Sequence, residues 1–596
     1  MMKRLARLAA AATLLAAASA VSQPRPVVLG EPAIAPKAAP AARLRLAPGD
    51  AITPRGLRAQ AQLSPVAESE IEDLRRANQR AVGAKRLAIG VNRAADGARP
   101  LPSAGELRWT AVAGGQAAQA AVTSPQAAAL RLAIDLAGVP PNVEMVFFGS
   151  AAPGRLVGPI RVGDIADRTA AWWSPVTEGD TQTVEFFVPA GAQARTLPLR
   201  ITRVSHLFAG PSTKFEKRIV DIGDSGSCNV DVVCNTAVTA TLAFQNTKEA
   251  VAQMVFNDGA FTLLCTGTLL NDSEPSTQAP WFYSANHCFE ADDPPYRTPA
   301  QMQAVANTLN TLWHFEATSC GSMTESPSYS QLSGGATYVY NSPTTDVLFL
   351  RLNNQPPAGS FFNGWDANPL PAGTVAISIH HPQGDLKKVS TGTVQGFESP
   401  GVAGGSASFI RVGWGTAVVE PGSSGGGIFT ASGGSQYLLR GGLFGGPSFC
   451  GAPTSERYDF FSRFDQAYPA LAQYLGTPTT LVDYTDLWWN PNESGWGLNL
   501  IQHASRNIFG VWYTYRQDGK AVWYVIPGGT WISDNVFRGD VYITSGPAAN
   551  GAFDTTRVTV SPVGSAVITF TTPTSGTFAY TISGISGSKS ITRQPF

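Results

Sequence analysis

The placement of the six cysteines constrains this chain more than any other feature of its sequence. All six lie between residues 228 and 450, and the long regions on either side contain none. An even number of cysteines in an exported chain implies disulfides, whereas a metal site favours tighter Cys/His clustering, and no Cys-x-x-Cys occurs. The sequence therefore predicts a disulfide-bonded central region that contains Cys228, Cys234, Cys265, Cys288, Cys320 and Cys450.

The N-terminus indicates export. The stretch "MMKRLARLAAAATLLAAASA" combines basic residues at 3, 4 and 7 with a short apolar run and an Ala-Ser-Ala end. This pattern is typical of a secretory signal peptide, and the apolar run is too short to span a bilayer comfortably. We expect residues 1–20 to be a signal peptide, with no membrane anchor elsewhere and an extracellular location.

Composition limits the class of protein further. The chain has 596 residues, more than one core accommodates, so we expect about three or four domains. Its net charge is +0 and only 14% of its residues are charged, so neither a nucleic-acid surface nor an acidic tail is indicated. The 60 glycines, 43 prolines and 10% aromatic residues favour β-rich domains with many turns.

Short apolar and alternating segments divide the chain. Residues 21–103 are rich in Ala and Pro and predict a leader and linker, with one short helix over Glu68–Ala81. Residues 104–218 predict a small β-domain and residues 479–596 a separate all-β domain. Between them, evenly spaced strands such as "TLLCTGTLL" and "DVLFLRL" predict closed β-barrels over 219–478, ending in a helix at 464–475.

Three segments of the central region carry residues of chemical interest. His287 lies in "ANHC" after an apolar strand, Asp346 precedes the strand "VLFLRL", and Ser423 and Ser424 lie in "EPGSSGGGIF". Taken singly, each has an ordinary explanation as a structural histidine, a turn aspartate or a flexible loop. Together they place His, Asp and Ser in that order within one disulfide-bearing β-region, which is one way to build a serine-nucleophile triad.

The residue types fit that chemistry. A serine hydroxyl is a poor nucleophile until a base removes its proton, and His287 supplies an imidazole, the side chain best suited to act as that base. Asp346 would accept the other ring N–H and fix the tautomer. The backbone N–H groups of Gly422 and Ser424 would bind the oxyanion. We expect a side chain at 422 to obstruct that position, and residues 425–427 to let the chain turn sharply.

The region from about 223 to 478 contains the motifs "SGSCNVDVVC", "CTGTLLN", "ANHC", "IHHP", "EPGSSG" and "GGPSFC". Through these motifs it resembles the bacterial lysyl endopeptidases, secreted serine proteases on the trypsin-like double β-barrel. The resemblance implies that Ser424 rather than Ser423 is the nucleophile, with His287 as base and Asp346 as orienting group. It also implies the disulfides Cys228–Cys450, Cys234–Cys320 and Cys265–Cys288.

The resemblance extends to the specificity pocket. Asp459, in "SERYDFFSRF", matches the pocket carboxylate of the family. A buried carboxylate that awaits a cation selects lysine or arginine, because an uncharged side chain leaves it unpaired. The alternative is an ordinary aspartate paired with Arg457 or Arg463. If Asp459 is the pocket carboxylate, Gly445 and Gly446 would form the edge along which the substrate backbone pairs as an extra strand.

Some positions depart from the family. Gly427 replaces a proline, and Phe444 replaces a histidine that stacks on a tryptophan with no counterpart in this sequence. Ser423 replaces the acidic residue that binds a newly freed N-terminus in trypsin-type zymogens, so we expect activation without that switch. His380 and His381 are adjacent on a strand and point to opposite faces, which favours structural roles over a shared metal. We expect no metal and no cofactor.

The flanking regions suggest accessory roles. We interpret the β-domain at 104–218 as a pro-domain, an intramolecular chaperone and inhibitor that masks the cleft until cleavage near Lys217 or Arg218. The tail resembles an aromatic "WWNPNESGWG" module of secreted bacterial proteins. We interpret Trp488, Trp489 and Trp496 as core and turn packing, with a sugar- or peptide-binding platform as the alternative.

The sequence thus predicts a mainly β, secreted, monomeric serine endopeptidase of bacterial origin. We expect it to act on protein or peptide substrates on the carboxyl side of lysine or arginine. Two alternatives stay open at this point. One is a broad or glutamate-selective protease on the same fold, and the other is a catalytically silent secreted binding protein whose tail carries adhesion.

Overall fold

The computed structural model describes most of the chain in two compact units. These comprise residues Met1–Asn271 with Ala279–Tyr474, and Asp272–Gln278 with Leu475–Phe596. The predicted signal peptide and the predicted processing point near Lys217 and Arg218 lie outside the described residues. The residues that the structure describes are 26–34, 42–46, 58–80, 86–94, 101–211, 224–274, 277–290, 295–400, 408–415, 417–432, 436–476, 483–502, 507–533, 535–548, 550–551 and 553–594.

The first unit begins with a β-sandwich. One sheet has the order β3-β6-β12-β8-β9 with β5 at its side, and β4, β7, β10, β11 and β13 belong to the other. Apolar side chains from both sheets share one core. The elements of this region are β1 (Val27–Val28), β2 (Glu31–Pro32), β3 (Arg58–Gln62), α1 (Glu68–Arg80), β4 (Leu87–Ala94), β5 (Thr110–Val112), β6 (Gly115–Thr123), β7 (Ala129–Asp135), β8 (Glu144–Gly149), β9 (Val157–Arg161), β10 (Trp172–Trp173), β11 (Thr177–Glu178), β12 (Thr181–Pro189) and β13 (Arg200–Leu207).

Two antiparallel β-barrels follow in the same unit, as the sequence predicts. Their elements are β14 (Val230–Asp231), α2 (Leu242–Lys248), β15 (Val251–Asp258), β16 (Phe261–Leu270), β17 (Trp281–Ser284), α3 (Asn286–Phe289), α4 (Pro299–Ala306), β18 (Asn310–Trp313), β19 (Ser330–Ser333), β20 (Ala336–Ser342), β21 (Val347–Leu352), β22 (Phe361–Phe362), β23 (Trp365–Asp366), β24 (Val375–His380), β25 (Lys388–Glu398), β26 (Phe409–Trp414), β27 (Gly427–Ser432), β28 (Gln436–Gly445), β29 (Tyr458–Phe461) and α5 (Phe464–Leu475).

The strand order defines each barrel. Strands β20-β21-β17-β16-β15-β18 are hydrogen-bonded in that sequence and form the first barrel. In the second, β24 to β29 close completely, because β28 pairs with β29 as well as with β27. The helix α5 at the end occupies Phe464–Leu475, the range predicted from the sequence. This is the trypsin-like double β-barrel, with the β-sandwich before it.

The β-sandwich shares a sheet with the first barrel. Strand β4 pairs with β13 on one side and with β16 on the other, so that Val91 lies opposite both His206 and Phe261. Arg131, on β7, is buried and donates hydrogen bonds to the carbonyls of Thr308 (2.7 Å) and Ser174 (3.2 Å). Burial lowers the pKa of Arg131 to about 9. The sandwich is therefore joined to the barrel by main-chain pairing and by a buried cation.

Residues 21–103 contain more structure than the leader and linker predicted from composition. Among the described residues, β3 and β4 are strands of the sandwich, and β1 and β2 pair with β23 and β22 of the barrel region. The folded part thus begins before residue 104. The sequences "RAQAQ" and "LAIGVNRA" alternate weakly because Ala and Gly contribute little apolar surface. The predicted helix is present over Glu68–Arg80, and Ile71 and Leu74 bury its inner face.

The second unit is an eight-stranded, up-and-down β-barrel. Its order is β33-β32-β31-β30-β38-β37-β36-β35, and a further β33–β35 pairing closes the barrel, with β34 as a hairpin on β35. Antiparallel closure removes the exposed strand edges. The strands are β30 (Asp486–Trp489), β31 (Gly497–Gln502), β32 (Ile508–Tyr515), β33 (Ala521–Ile526), β34 (Thr530–Ser533), β35 (Val536–Ser545), β36 (Thr559–Thr572), β37 (Ser575–Ile582) and β38 (Ile585–Arg593).

Three disulfides join the six cysteines. They are Cys228–Cys450, Cys234–Cys320 and Cys265–Cys288, the pairs implied by the family resemblance. The last of them connects β16 to α3, the turn of helix that carries His287. Among the described residues, no helix combines the length and the apolar character that crossing a bilayer requires.

An arginine of the N-terminal region supports that same turn. Arg86 donates hydrogen bonds to the carbonyl oxygens of His287 (3.0 Å) and Glu290 (2.9 Å). We expect Arg86→Ala to loosen this segment, because hydrogen bonds from a charged donor contribute about 1.5–3 kcal/mol. Amide hydrogen exchange of residues 286–290 in the uncleaved chain should become at least about tenfold faster.

The exposed Arg76, on α1, provides the matched control. Its guanidinium pairs only with Asp73 of the same helix among the described residues. Arg76→Ala should leave exchange at 286–290 unchanged. Equal exchange rates in the two variants would show that Arg86 does not hold this turn.

Candidate active site

Histidine 287 and Asp346 are brought together by the first barrel. His287 lies on α3 after strand β17, and Asp346 closes the turn before β21. The ring Nδ1 of His287 is 2.9 Å from Oδ2 and 3.1 Å from Oδ1 of Asp346, and the backbone amide of His287 donates to Oδ1 at 2.9 Å. Asp346 has a φ of 53°, a left-handed conformation that aspartate tolerates better than most residues. The buried carboxylate thus holds the imidazole in one orientation.

Serine 424 approaches from the second barrel. Its Oγ is 2.7 Å from Nε2 of His287, on the opposite side of the ring from Asp346. The serine is completely buried, and only 11% of the histidine side chain is exposed. The arrangement forms a continuous hydrogen-bonded chain from a hydroxyl through an imidazole to a carboxylate, largely out of contact with water.

Threonine 266, on β16, connects the two barrels beside the serine. Its amide donates to the carbonyl of Ser424 at 2.7 Å, and its hydroxyl donates to the carbonyl of Gly422 at 3.1 Å. The backbone amides of Gly422 and Ser424 themselves donate to no protein acceptor among the described residues. Both can therefore donate to an anionic oxygen of a ligand.

The glycines around the serine are required by the surrounding backbone. Gly422 has a φ of 93°, and a Cβ there would lie 2.8 Å from the carbonyl oxygen of His381. A side chain at 422 would therefore also collide with the neighbouring loop at residues 381–384. The sharp turn is confined to Gly425, with a φ of 78°. At Gly427, which begins β27, a Cβ would lie 2.3 Å from the ring of Phe429.

Asp459 lies fully buried on β29. Its Oδ2 accepts hydrogen bonds from Nε1 of Trp414 (2.5 Å) and from the hydroxyl of Ser448. Gly446 faces the other oxygen, because a Cβ there would lie 2.6 Å from Oδ1. Arg463 pairs with Asp465, not with Asp459. Trp414 and Ser448 thus hold the carboxylate beneath a strand edge that lacks side chains at Gly445 and Gly446.

Phe444 has an aromatic partner that the sequence did not reveal. Its ring lies 5.2 Å from that of Phe409 on β26 and 5.8 Å, edge-on, from the ring of His287. Phe444, which replaces the histidine that the resemblance implies, thus pairs with a phenylalanine of another strand. Residue 409 is far from 444 in the chain, and only the pairing of the strands could identify it.

His380 and Ser423 form a second buried network directly beside Ser424. Nδ1 of His380 lies 2.8 Å from Oγ of Ser423, and Nε2 lies 3.0 Å from Oγ of Ser390. The hydroxyl of Ser390 donates to the carbonyl of Val418. The network is satisfied when Nε2 donates to Ser390 and the hydroxyl of Ser423 donates to Nδ1. His380 thus anchors the residue that precedes Ser424.

His381 makes different contacts from its neighbour. It is buried, its Nδ1 lies 3.1 Å from the carbonyl of Asp385, and its ring stacks on Phe315. Burial lowers the pKa of His381 to about 3, so the ring is neutral. Across the described part of the chain, no group of three or more His, Cys, Asp or Glu could hold a metal ion.

The carboxylates of Glu420 and Asp385, near the loop that carries Ser424, hold the segment at residues 225–229. The amide of Gly226 and the side-chain amide of Asn229 donate to Glu420 at 2.9 and 2.8 Å. The hydroxyl of Ser225 donates to Asp385 at 2.8 Å. Glu420 begins the motif "EPGSSG", so this segment is anchored to the loop that carries Ser424. The acidic residue that holds it is therefore at position 420, whereas position 423 is a serine.

We expect Ser423→Ala to slow the reaction of Ser424 with a serine-directed phosphonate. The substitution removes the hydroxyl that lies 2.8 Å from Nδ1 of His380, and small displacements of a reacting group cost up to about a hundredfold in rate. The labelling rate constant should fall about ten- to a hundredfold while the pH dependence of labelling is retained. Ser328→Ala, at an exposed serine, is the control, and equal rates in both variants would refute a positioning role.

Comparisons with known proteins identify the family. A model of the lysyl endopeptidase C-terminal domain matches residues 222–462, and a model of the lysyl endopeptidase N-terminal domain matches residues 62–208. A lysyl endopeptidase of Pseudomonas aeruginosa is 41% identical over 353 residues, which cover 58% of this chain and 72% of that protein.

Solved structures show weaker likeness. The Rv3671c protease from M. tuberculosis, in its active form, is 15% identical and is matched over 94% of its length and 44% of this chain, with a TM-score of 0.26. An HtrA-type protease, AlgW with a tripeptide, is 14% identical and is matched over 96% of its length and 59% of this chain, also with a TM-score of 0.26. TM-scores this low carry no argument about this chain. The two family models and the bacterial relative show that the chain belongs to the lysyl endopeptidase family and is a serine endopeptidase.

Proposed function

We propose that this protein hydrolyses peptide bonds through a triad of His287, Asp346 and Ser424. The observation that carries the proposal is the 2.7 Å contact between Oγ of Ser424 and Nε2 of His287, with Asp346 bonded to the far side of the ring. A serine, a base and an orienting carboxylate in hydrogen-bonding contact are what nucleophilic acyl transfer requires.

The reaction follows from these positions. His287 takes the proton of Ser424 as the Oγ attacks the scissile carbonyl carbon. The amides of Gly422 and Ser424 donate to the resulting oxyanion, and Asp346 stabilises the imidazolium. The imidazolium then gives its proton to the leaving amine, and an acyl-enzyme forms. Water, activated by the same histidine, attacks the ester and restores the serine.

We propose that Asp459 selects substrates with lysine, or arginine, on the amino side of the cleaved bond. Trp414 and Ser448 hold its carboxylate in place, and Arg463, a suggested partner, is paired elsewhere. A substrate ammonium would pair with this buried carboxylate, an interaction that an apolar side chain cannot make. A glutamate side chain would meet like charge, so the glutamate-selective alternative is disfavoured.

A catalytically silent binding protein is also disfavoured. Such a protein has no need for a buried His287–Ser424 contact, two free amides beside it and an oriented carboxylate.

The Phe444–Phe409 pair, next to His287, would contact the substrate residue before the lysine and favour apolar side chains there.

We further propose that the N-terminal β-sandwich is a pro-region that acts as intramolecular chaperone and inhibitor. The support lies in the β4–β16 pairing, the buried Arg131 and the hydrogen bonds of Arg86 to the turn that carries His287. Cleavage near Lys217 or Arg218 would separate it from a secreted, monomeric enzyme. The disulfides fit an extracellular location.

Labelling with a serine-directed phosphonate tests the triad. We expect the wild-type chain to be labelled at Ser424, and Ser424→Ala and His287→Ala to lose both labelling and peptidase activity. Asp346→Asn should lower kcat by about 10⁴-fold, because the tautomer is no longer controlled. Ser462→Ala, at a buried serine outside the triad, should remain labelled, and labelling at another serine would overturn the assignment.

The pocket is tested by Asp459→Asn. The amide keeps an acceptor for Trp414 and Ser448 but removes the charge, so kcat/KM for lysyl substrates should fall by the equivalent of about 2–5 kcal/mol. Hydrolysis of a norleucyl substrate, which lacks the ammonium, should fall far less. Glu456→Gln, an exposed acid three residues upstream, is the control. Equal losses on both substrates would contradict a charge-reading role for Asp459.

A further inference from the structure

We propose that the C-terminal β-barrel carries a binding site for an uncharged polysaccharide on the outer face of β31, β32 and β33. This inference concerns the second unit alone and does not depend on the proposed peptidase mechanism. We call this surface the aromatic face. It consists of the outward residues of the three strands: Gly497, Asn499, Ile501, Phe509, Val511, Tyr513, Tyr515, Ala521, Trp523 and Val525.

Strand alternation determines which residues point outward. Leu498, Leu500 and Trp512 are buried in the barrel core, so their neighbours along each strand face the exterior. In the strand register, Tyr513 lies opposite Gly497 on one side and opposite Trp523 on the other. Two aromatic side chains are therefore direct cross-strand neighbours on the outside of the barrel.

The aromatic face is both exposed and uncharged. Tyr513, Tyr515 and Trp523 are 49%, 57% and 55% exposed, and none of the ten outward residues is Asp, Glu, Lys or Arg. Contiguous exposed apolar patches mark binding sites in soluble proteins. A face without charge does not attract nucleic acid, anionic lipid or a charged peptide by electrostatics.

The aromatic face also presents polar atoms that the protein does not use. Among the described residues, the hydroxyls of Tyr513 and Tyr515, the indole N–H of Trp523 and the amide of Asn499 have no protein hydrogen-bond partner. The tryptophans of the "WWNPNESGWG" motif differ. Nε1 of Trp488 donates to the carbonyl of Tyr484, and Nε1 of Trp496 donates to Glu493. Those two rings are structural, whereas the ring of Trp523 is available.

A polysaccharide matches this combination of groups. The C–H faces of its sugar rings are apolar and stack on aromatic rings, while its hydroxyls need donors and acceptors at the ring edges. Gly497 has no side chain beside Tyr513, and a Cβ there would lie 4.0 Å from the Cβ of Trp489 on the neighbouring strand β30. Gly495 lies against the ring of Tyr515, where a Cβ would be 3.7 Å from its hydroxyl. A neutral chain of sugars complements this uncharged face in charge.

The experiment measures co-sedimentation of the full chain with insoluble neutral polysaccharides. Ser424→Ala prevents self-digestion, and cellulose, chitin and an insoluble β-glucan are the probes. We expect at least one of them to retain the chain, and Tyr513→Ala combined with Trp523→Ala to lower the bound fraction at least about tenfold. Tyr513→Phe with Trp523→Phe keeps the rings but removes the polar atoms, and should give an intermediate value.

Exposed apolar residues outside the aromatic face provide the control. Phe553→Ala and Ile585→Ala remove exposed apolar side chains of the same unit outside the aromatic face and should leave binding unchanged. The circular dichroism of each variant reports that the barrel is folded. Lack of retention on all three polysaccharides, or retention unaffected by the double variant, would overturn the proposal. So would a finding that the face instead mediates self-association or binding to neutral lipid vesicles.

Discussion

The hydrogen bond between Ser424 and His287 links the two barrels, and the chemistry of the site depends on it. Its donor and acceptor come from different barrels, so its 2.7 Å length requires a fixed relation between them. Thr266 provides part of that relation, because it bonds to the carbonyls of both Gly422 and Ser424. Buried groups such as these tolerate little displacement, since an unsatisfied polar atom in the interior costs about 1–3 kcal/mol.

The N-terminal region is built into the same sheet as the first barrel. Strand β4 lies between β13 and β16, so the edge of β16 is completed by residues outside the double barrel. Arg86 then reaches from this region to the turn that holds His287. The first barrel and the sandwich are therefore joined by main-chain hydrogen bonds between β4 and β16.

Local chemistry made much of the site predictable. Strand alternation, the helix at 464–475 and the turn glycines follow from short-range patterns, and the family motifs indicated His287, Asp346, Ser424 and the cysteine pairs. Prediction failed where the signal was weak or distant. Strands β3 and β4 are rich in small residues, and the Phe409 partner of Phe444 lies on a different strand. In the tail, the motif drew attention to Trp488 and Trp496, but Trp523 is the exposed ring.

The sequence by itself determined which residue types were available and the order in which they occur. It placed a base, an acid and a hydroxyl among strands and glycine turns, because propensities and spacing act over a few residues. Only the tertiary structure decided the distances between them. It brought residues 287, 346 and 424 into contact, buried Asp459 beside Trp414 and turned Trp523 outward. Those relations depend on strand register and barrel closure, which arise from contacts between residues far apart in the chain.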